Sequence, residues 1–120
     1  MWYNTVMADN QALLTQMRKG AVEYCVLALL VGRERYGYEL VQILSQVEGM
    51  LVSEGTVYPI LSRLKREQLV ATEWRESSAG PPRKYYRLTP AGIVALDEFR
   101  SQWQVFARAV ETFLEQGGTL

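Results

Sequence analysis

The chain has 120 residues, 48% of them hydrophobic, and its 13 basic and 13 acidic side chains give a net charge of zero. This length suits one domain with a single modest core, and the apolar content argues against disorder. With no histidine and one cysteine, the usual zinc sites, histidine-dependent catalytic triads and intrachain disulfides are excluded. We expect no metal, no cofactor and no catalytic residue. The sequence shows neither a long apolar run nor a signal-peptide pattern, which predicts a cytoplasmic protein without membrane contact.

Residues 1–19 are predicted to form an N-terminal arm that contains one short helix. Asp9 or Asn10 can cap this helix, and Leu13, Leu14 and Met17 form its apolar stripe. A helix this short is marginal alone, so we expect it to dock on another part of the assembly.

Two further helices and a short strand are predicted before residue 53. Residues 21–31 are nearly all apolar and read as the central core helix, in which Cys25 is interpreted as a small apolar core residue. Residues 32–35 form a polar turn, and a second helix opens at residues 36–38 and ends near residue 49. Residues 50–52 can form a short strand beside the sheet that follows.

The segment from Ser53 to Leu69 predicts an amphipathic helix with Ser53 as its N-cap. Pro59 is expected to limit the first turn. The apolar positions share one face, and the opposite face is basic and rich in hydroxyl groups. A solvated surface helix remains an alternative for this segment taken alone. The apolar face consists of Val57, Ile60, Leu61 and Leu64, and the polar face of Thr56, Tyr58, Ser62, Arg63, Lys65 and Arg66.

A β-hairpin is predicted directly after this helix. Residues 70–76 and 84–88 have the β-branched and aromatic content of strands, and the intervening Ser, Gly and Pro residues indicate a turn. Residues 56–88 hold seven basic and three acidic side chains, a local excess of four positive charges. The predicted fold is therefore mainly α with a small β-hairpin wing: a winged helix-turn-helix over residues 20–88.

Residues 89–117 are predicted to form a C-terminal dimerisation helix. Thr89 is suited to the N-cap and Pro90 to the first helical position. Large apolar residues then recur at alternating spacings of three and four, a period of 3.5 that is typical of a helix paired with another helix. We interpret this seam as a homodimer interface, and packing within the chain is the alternative. The seam consists of Leu96, Phe99, Trp103, Phe106, Val110 and Phe113.

Four segments together resemble the PadR family of bacterial transcriptional regulators. They are GAVEYCVLALL, YGYELVQIL, SEGTVYPILSRLKREQLV and GPPRKYYRLTPAG, in this order and spacing, from Gly20 to about Trp103. The combination of YGYEL, EGTVYP and PRKYYRLT is far more specific than any one of them. The chain departs from the family at Gln68, where glycine usually closes the recognition helix, so a left-handed cap there is less favourable.

The resemblance implies a homodimer that binds double-stranded DNA at an inverted-repeat operator, represses transcription and is released by a small effector. The recognition helix would enter the major groove and the wing would approach the adjacent minor groove. Helix packing is the alternative for the first two tyrosines of the implied set. The implied DNA-binding residues are Tyr36, Tyr38, Ser53, Gly55, Thr56, Tyr58, Arg63, Lys65, Arg66, Arg83 and Lys84.

In some family members a tryptophan matching Trp103 lines a cavity at the dimer centre and stacks flat aromatic molecules. The resemblance thus implies an aromatic effector site at Trp103, with Phe99 and Phe106 beside it. The alternative is a large residue that only fills the seam. For the whole protein, the competing hypothesis is a winged-helix module that binds proteins and no DNA. An enzyme is disfavoured because no carboxylate or tyrosine has a recognisable base or metal partner.

Overall fold

The structure is a computed structural model, and it describes residues 17–50 and 52–118. The short helix predicted within residues 1–19 falls largely outside this range. In the described part of the chain, no helix combines the length and hydropathy needed to cross a membrane. The described elements are α1 (Val22–Ala28), β1 (Arg35–Tyr36), α2 (Gly37–Ser45), α3 (Glu54–Arg66), β2 (Val70–Arg75), β3 (Arg83–Leu88) and α4 (Pro90–Gly117).

The helices occupy the segments predicted for them, with shorter ends. α1 stops at Ala28, and residues 29–32 form turns. α3 begins directly after Ser53, as expected, but Pro59 lies inside the helix and does not limit its first turn. A proline removes one intrahelical hydrogen bond. Burial of the apolar face of α3 on both sides of Pro59 compensates for that loss.

A three-stranded antiparallel sheet has the order β1-β3-β2. β2 and β3 pair from Val70 opposite Leu88 to Arg75 opposite Arg83, so the predicted hairpin wing is present. β1 extends this hairpin into a sheet by placing Tyr36 opposite Tyr85.

The third strand is not at residues 50–52, where the sequence predicted it. Met50 lies in a turn, and Val52 is buried in the core immediately before the N-cap of α3; residue 51 is outside the described range. Arg35 takes the place at the sheet edge instead. Its Nε donates to the Leu29 carbonyl oxygen at 2.8 Å, and its Nη1 donates to Glu39 Oε2 at 3.3 Å. Val52 therefore contributes its buried side chain to the core, and its backbone is not paired in the sheet.

One apolar core joins all four helices to the sheet. Within it the Cys25 thiol is half-buried, and burial raises its pKa, as the interpretation of a core residue requires. Each large aliphatic side chain buried here contributes about 1.5–3 kcal/mol. The most deeply buried side chains are Val26, Leu27, Leu30, Leu40, Val57, Leu61 and Leu64.

α4 starts with a close contact at the end of the wing. Thr89 caps the helix as predicted, since its Oγ1 accepts a hydrogen bond from the Gly92 N–H at 3.1 Å. A Cβ on Gly92 would lie 2.1 Å from the Leu69 carbonyl oxygen, so only glycine allows this approach. From residue 101 onward nearly every α4 residue is exposed. The helix therefore leaves the core after about its first three turns.

Gln68 closes α3 in the left-handed conformation, with φ of 62°, and it is the one non-glycine residue in the described range with positive φ. The Thr89 Oγ1 hydroxyl donates to its carbonyl oxygen at 2.7 Å. The hydrogen bond from Thr89 thus holds the turn at Gln68, although the Gln68 side chain disfavours a positive φ.

We predict that Gln68→Gly raises the free energy of unfolding by about 0.5–1 kcal/mol. Relief of the left-handed strain is worth about 1–2 kcal/mol, and the greater freedom of glycine in the unfolded chain offsets part of it. Urea unfolding measures the difference. Gln68→Ala is the matched control and should show no such gain, because alanine keeps the Cβ; equal stability of the glycine variant and the wild type would contradict the strain.

Candidate nucleic-acid interface

A groove of about 800 Å³ lies between α2, α3 and the wing, and we call it the wing cleft. Its position follows from the fold, because β1 leads directly into α2 while β3 runs alongside β1. Five of the eleven predicted DNA-binding residues line it: Tyr36, Tyr38, Tyr58, Arg83 and Lys84. Elements far apart in sequence are therefore brought to one surface.

Tyrosine rings form much of this surface. The Tyr36 ring lies 4.4 Å from the Arg83 guanidinium and packs edge-on against Tyr85 at 5.6 Å. Tyr58 packs on Gly37, where a Cβ would come within 2.6 Å of its ring carbon Cε1. Burial, then the charge of Glu54 and the nearby Tyr38, raises the pKa of Tyr58. The Tyr58 phenol therefore stays protonated and can donate a hydrogen bond to a phosphate oxygen.

Lys65 of α3 lies beside Lys84 of the wing, although Lys65 itself does not line the wing cleft. Burial lowers the pKa of Lys84, and the adjacent Lys65 ammonium lowers it further. Lys84 Nζ also lies 5.9 Å from the Trp74 ring and 5.8 Å from the Tyr86 ring. Within residues 17–50 and 52–118, no carboxylate lies within ion-pair distance of Lys65, Arg83 or Lys84. This arrangement attracts an anion, which relieves the repulsion between the two ammonium groups.

Arg63 and Thr56 do not join the wing cleft. They line a smaller cleft of about 300 Å³ between α1 and α3, which we call the α1–α3 cleft. The Arg63 guanidinium donates to the Glu23 carboxylate of α1, and the expectation that Arg63 faces a DNA groove stays a prediction. A contact 40 residues away in sequence cannot be read from the local pattern.

Ser53, Gly55 and Arg66 are exposed at the two ends of α3. Ser53 occupies the N-cap position, but its side chain accepts no hydrogen bond from the helix, contrary to the expected capping role. Its hydroxyl group is therefore free to contact another molecule.

The wing cleft contains residues that the sequence reasoning missed. Gln42 and Trp74 line it, and the Trp74 side chain is 66% exposed. Ser62 also lines it; the sequence places Ser62 on the polar face of α3, but the implied DNA-binding residues do not include it. The available signal was the hairpin register, which sets Trp74 opposite Lys84. Arg75 belongs to a different group, because it is hydrogen-bonded to both Glu34 and Glu73 and is already neutralised.

The predicted seam of α4 is divided between two environments. Leu96 is only 4% exposed within the chain's own core, so it is not accessible to a partner. Phe99 stacks on Tyr24 of α1 at 4.1 Å and on Trp103 at 5.8 Å. Phe106, Val110 and Phe113 project into solvent. A ladder of three rings thus joins the core to an exposed apolar stripe.

Comparison with known proteins gives consistent matches. Residues 26–98 match the model of the transcriptional regulator PadR-like family. A transcriptional regulator of Mycobacterium tuberculosis is 38% identical over 97 residues, which cover 81% of this chain and 89% of that protein.

Solved structures have the same fold. A PadR-like regulator from Bacillus cereus is 40% identical with a TM-score of 0.74, covering 82% of this chain and 96% of its own. A PadR family regulator from Eggerthella lenta is 34% identical with a TM-score of 0.79, covering 96% and 97%. Bacillus subtilis PadR in complex with operator DNA, at 24% identity and a TM-score of 0.60, covers 67% of this chain and 45% of its own, and shows the fold alone.

The predicted winged helix-turn-helix is thereby confirmed. The matched proteins are transcriptional regulators and not enzymes. The chain belongs to the transcriptional regulator PadR-like family.

Proposed function

We propose that this protein binds double-stranded DNA sequence-specifically, as a homodimer on an inverted-repeat operator, and represses transcription. The wing cleft carries the proposal, since Arg83 and Lys84 line it beside tyrosine hydroxyl groups and Lys65 lies next to Lys84. Within the described residues these three cations have no acidic partner. Phosphate contacts from these groups supply most of the affinity and set the register. Side chains of α3 read base edges in the major groove and supply the sequence preference.

The N-terminal part of α3 supports close approach of a duplex. A Cβ on Gly55 would meet only Ser53 Oγ, at an ordinary 3.6 Å, so nothing in the described chain requires glycine there. Gly55, Ser53 and Thr56 are all exposed. A helix end with small side chains and free hydroxyl groups fits against a sugar-phosphate backbone or a base edge. The relatives that are described as transcriptional regulators support the same function.

The exposed stripe on α4 supports the homodimer. Within the described residues, Phe106, Val110 and Phe113 do not belong to the apolar core, and Phe113 is 72% exposed. Contiguous apolar surface of this kind marks an interaction site, and a 3.5-residue period suits a second copy of the same helix. A two-fold dimer would present its two α3 helices about 34–36 Å apart, one duplex turn.

The ring ladder supports a small aromatic effector. Tyr24, Phe99 and Trp103 already stack nearly parallel, with interplanar angles of 5° and 19°. Trp103 ends the ladder and is 48% exposed, which leaves part of its π surface open to a flat molecule. Phe106 lies one turn farther along α4 and extends the apolar wall.

Selection of bound duplexes from a random pool tests the function. We expect recovery of an inverted repeat whose half-sites are centred about one helical turn apart, as a two-fold dimer requires. A pool from which no duplex is enriched would favour a protein-interaction module, and a direct repeat would contradict the two-fold dimer.

We predict that Arg83→Ala weakens binding to the selected duplex and to an unrelated duplex alike. The slope of log K against log salt concentration is negative, and removal of one phosphate contact reduces its magnitude by about 0.9. Fluorescence anisotropy at several salt concentrations measures this slope. Arg75→Ala is the matched control, since Glu34 and Glu73 already neutralise that arginine, and its slope should stay at the wild-type value. An unchanged slope for Arg83→Ala would remove its phosphate role.

We predict that Phe106→Ala combined with Phe113→Ala converts the dimer to monomer at micromolar concentration. Each buried phenylalanine contributes about 2 kcal/mol, so four truncated rings in a dimer remove about 8 kcal/mol. A third of that loss already raises the Kd about a hundredfold. Analytical ultracentrifugation measures the change. Ile93→Ala with Val94→Ala removes exposed apolar groups of α4 outside the stripe and should leave the dimer intact. Wild-type protein that sediments as a monomer would contradict the homodimer itself.

We predict that planar aromatic cations quench tryptophan fluorescence and that Trp103→Ala abolishes this quenching. Stacking on the open indole face is the physical cause. Trp2 and Trp74 remain in the variant and report any nonspecific effect. Equal quenching of the variant and the wild type would rule out the effector site at Trp103.

A further inference from the structure

We propose that the α1–α3 cleft is a second phosphate-binding site, which holds a phosphodiester group of the same duplex that α3 contacts. The inference rests on the DNA binding proposed above and adds residues that precede α1. Arg18 and Lys19 supply the new contacts, and Arg63 and Thr56 share the cleft with them. Neither Arg18 nor Lys19 lines the wing cleft.

A tight turn brings these two side chains to α3. The Ala21 N–H donates to the Arg18 carbonyl oxygen at 3.0 Å, and Gly20 between them has φ of 84°. Glycine adopts this left-handed angle without strain. The turn therefore fixes Arg18 and Lys19 directly before α1, on the side of α1 where α3 packs.

The cleft carries an excess of positive charge. Arg18, Lys19 and Arg63 face one carboxylate, Glu23, and that carboxylate is bonded to Arg63. In the part of the chain that the structure describes, Arg18 and Lys19 form no ion pair. Guanidinium and ammonium groups together match the oxygens of a phosphodiester, which carries one negative charge.

Arg18 also shows a hydrogen-bond donor that lacks a partner. Its Nη1 is shielded from solvent and makes no hydrogen bond to any described group. Buried donors are almost always satisfied in folded proteins, and a bound ion or water is one of the partners that can satisfy an exception. An anion oxygen in the cleft would complete the hydrogen bonding of this guanidinium after a small side-chain movement.

The placement of the cleft identifies the occupant as duplex DNA. α3 contributes Tyr58 and Ser62 to the wing cleft and Thr56 and Arg63 to the α1–α3 cleft, so basic groups flank this helix on two sides. A helix inserted in the major groove has a phosphate backbone on each side. Each cleft would therefore hold one of the two strands, and the pair would fix how α3 sits across the groove.

Glu23 acts as a positioning residue in this arrangement. Its carboxylate holds Arg63 in the free protein, and a phosphate group that enters the cleft competes with it. Removing the charge of Glu23 makes the net charge of the cleft more positive. It also allows Arg63 to bind the phosphate group without competition from the carboxylate. Glu23→Gln should therefore bind DNA about two- to fivefold more tightly at low salt, the range expected for a partly exposed ion pair.

The test compares Arg18→Ala/Lys19→Ala in the full chain with the wild type on an unrelated duplex across a range of salt concentrations. We expect the slope of log K against log salt to fall by about 0.9 for each phosphate that the variant no longer binds. Arg33→Ala/Arg100→Ala removes the same charge outside both clefts and should leave the slope unchanged. Arg18→Lys/Lys19→Arg keeps the charges and should retain the wild-type slope.

An unchanged slope for the alanine variant overturns the proposal, and so does an equal fall in the Arg33→Ala/Arg100→Ala control. In both cases the DNA binding itself stands if Arg83→Ala still lowers the slope. A wild type that binds no duplex overturns the proposed function as well. Circular dichroism checks the folding of each variant. If the alanine variant does not fold, Glu23→Gln decides, because unchanged or weaker binding by that variant contradicts the competition.

Discussion

The packing of one face of α3 against the core is the constraint on which the rest of this structure depends. Val57, Leu61 and Leu64 are almost completely buried, which fixes the rotation of the helix about its own axis. The polar face of α3 lies opposite the buried face and therefore points outward, toward the wing on one side and the start of α1 on the other. The position of α3 between the two clefts is therefore a consequence of apolar burial.

The sequence predicted the elements well because their signals are local. Apolar periodicity, the Thr89-Pro90 cap and the turn-rich loop of the wing each depend on a few neighbouring residues, and the corresponding elements are present. The predictions failed where the outcome depends on distant partners. A two-residue strand at Arg35–Tyr36 carries no periodicity, and its pairing is decided by β3, about 50 residues later. The division of the α4 seam, with Leu96 in the core, likewise depends on where the helix leaves the body.

Although the net charge is zero, some charges in the described range are paired and others are not. Four acidic side chains in the described range hold arginines that support the fold, while the cations of the wing cleft are left without such partners. The sum over the chain is therefore a poor guide to the field at this surface, which depends on which charges are already paired. The pairs that neutralise structural or positioning arginines are Glu23–Arg63, Glu34–Arg75, Glu39–Arg35 and Glu73–Arg75.

The contact at Gly92 has a geometric consequence for any symmetric assembly. With the Leu69 carbonyl oxygen where the glycine's side chain would begin, α4 cannot pivot at its base without breaking a packed joint. The contact between Gly92 and Leu69 thus sets the angle between α4 and α3 within the chain. If two subunits joined along their α4 helices, this fixed angle would also fix the distance between their two α3 helices. That distance would then depend on the close backbone packing at Gly92.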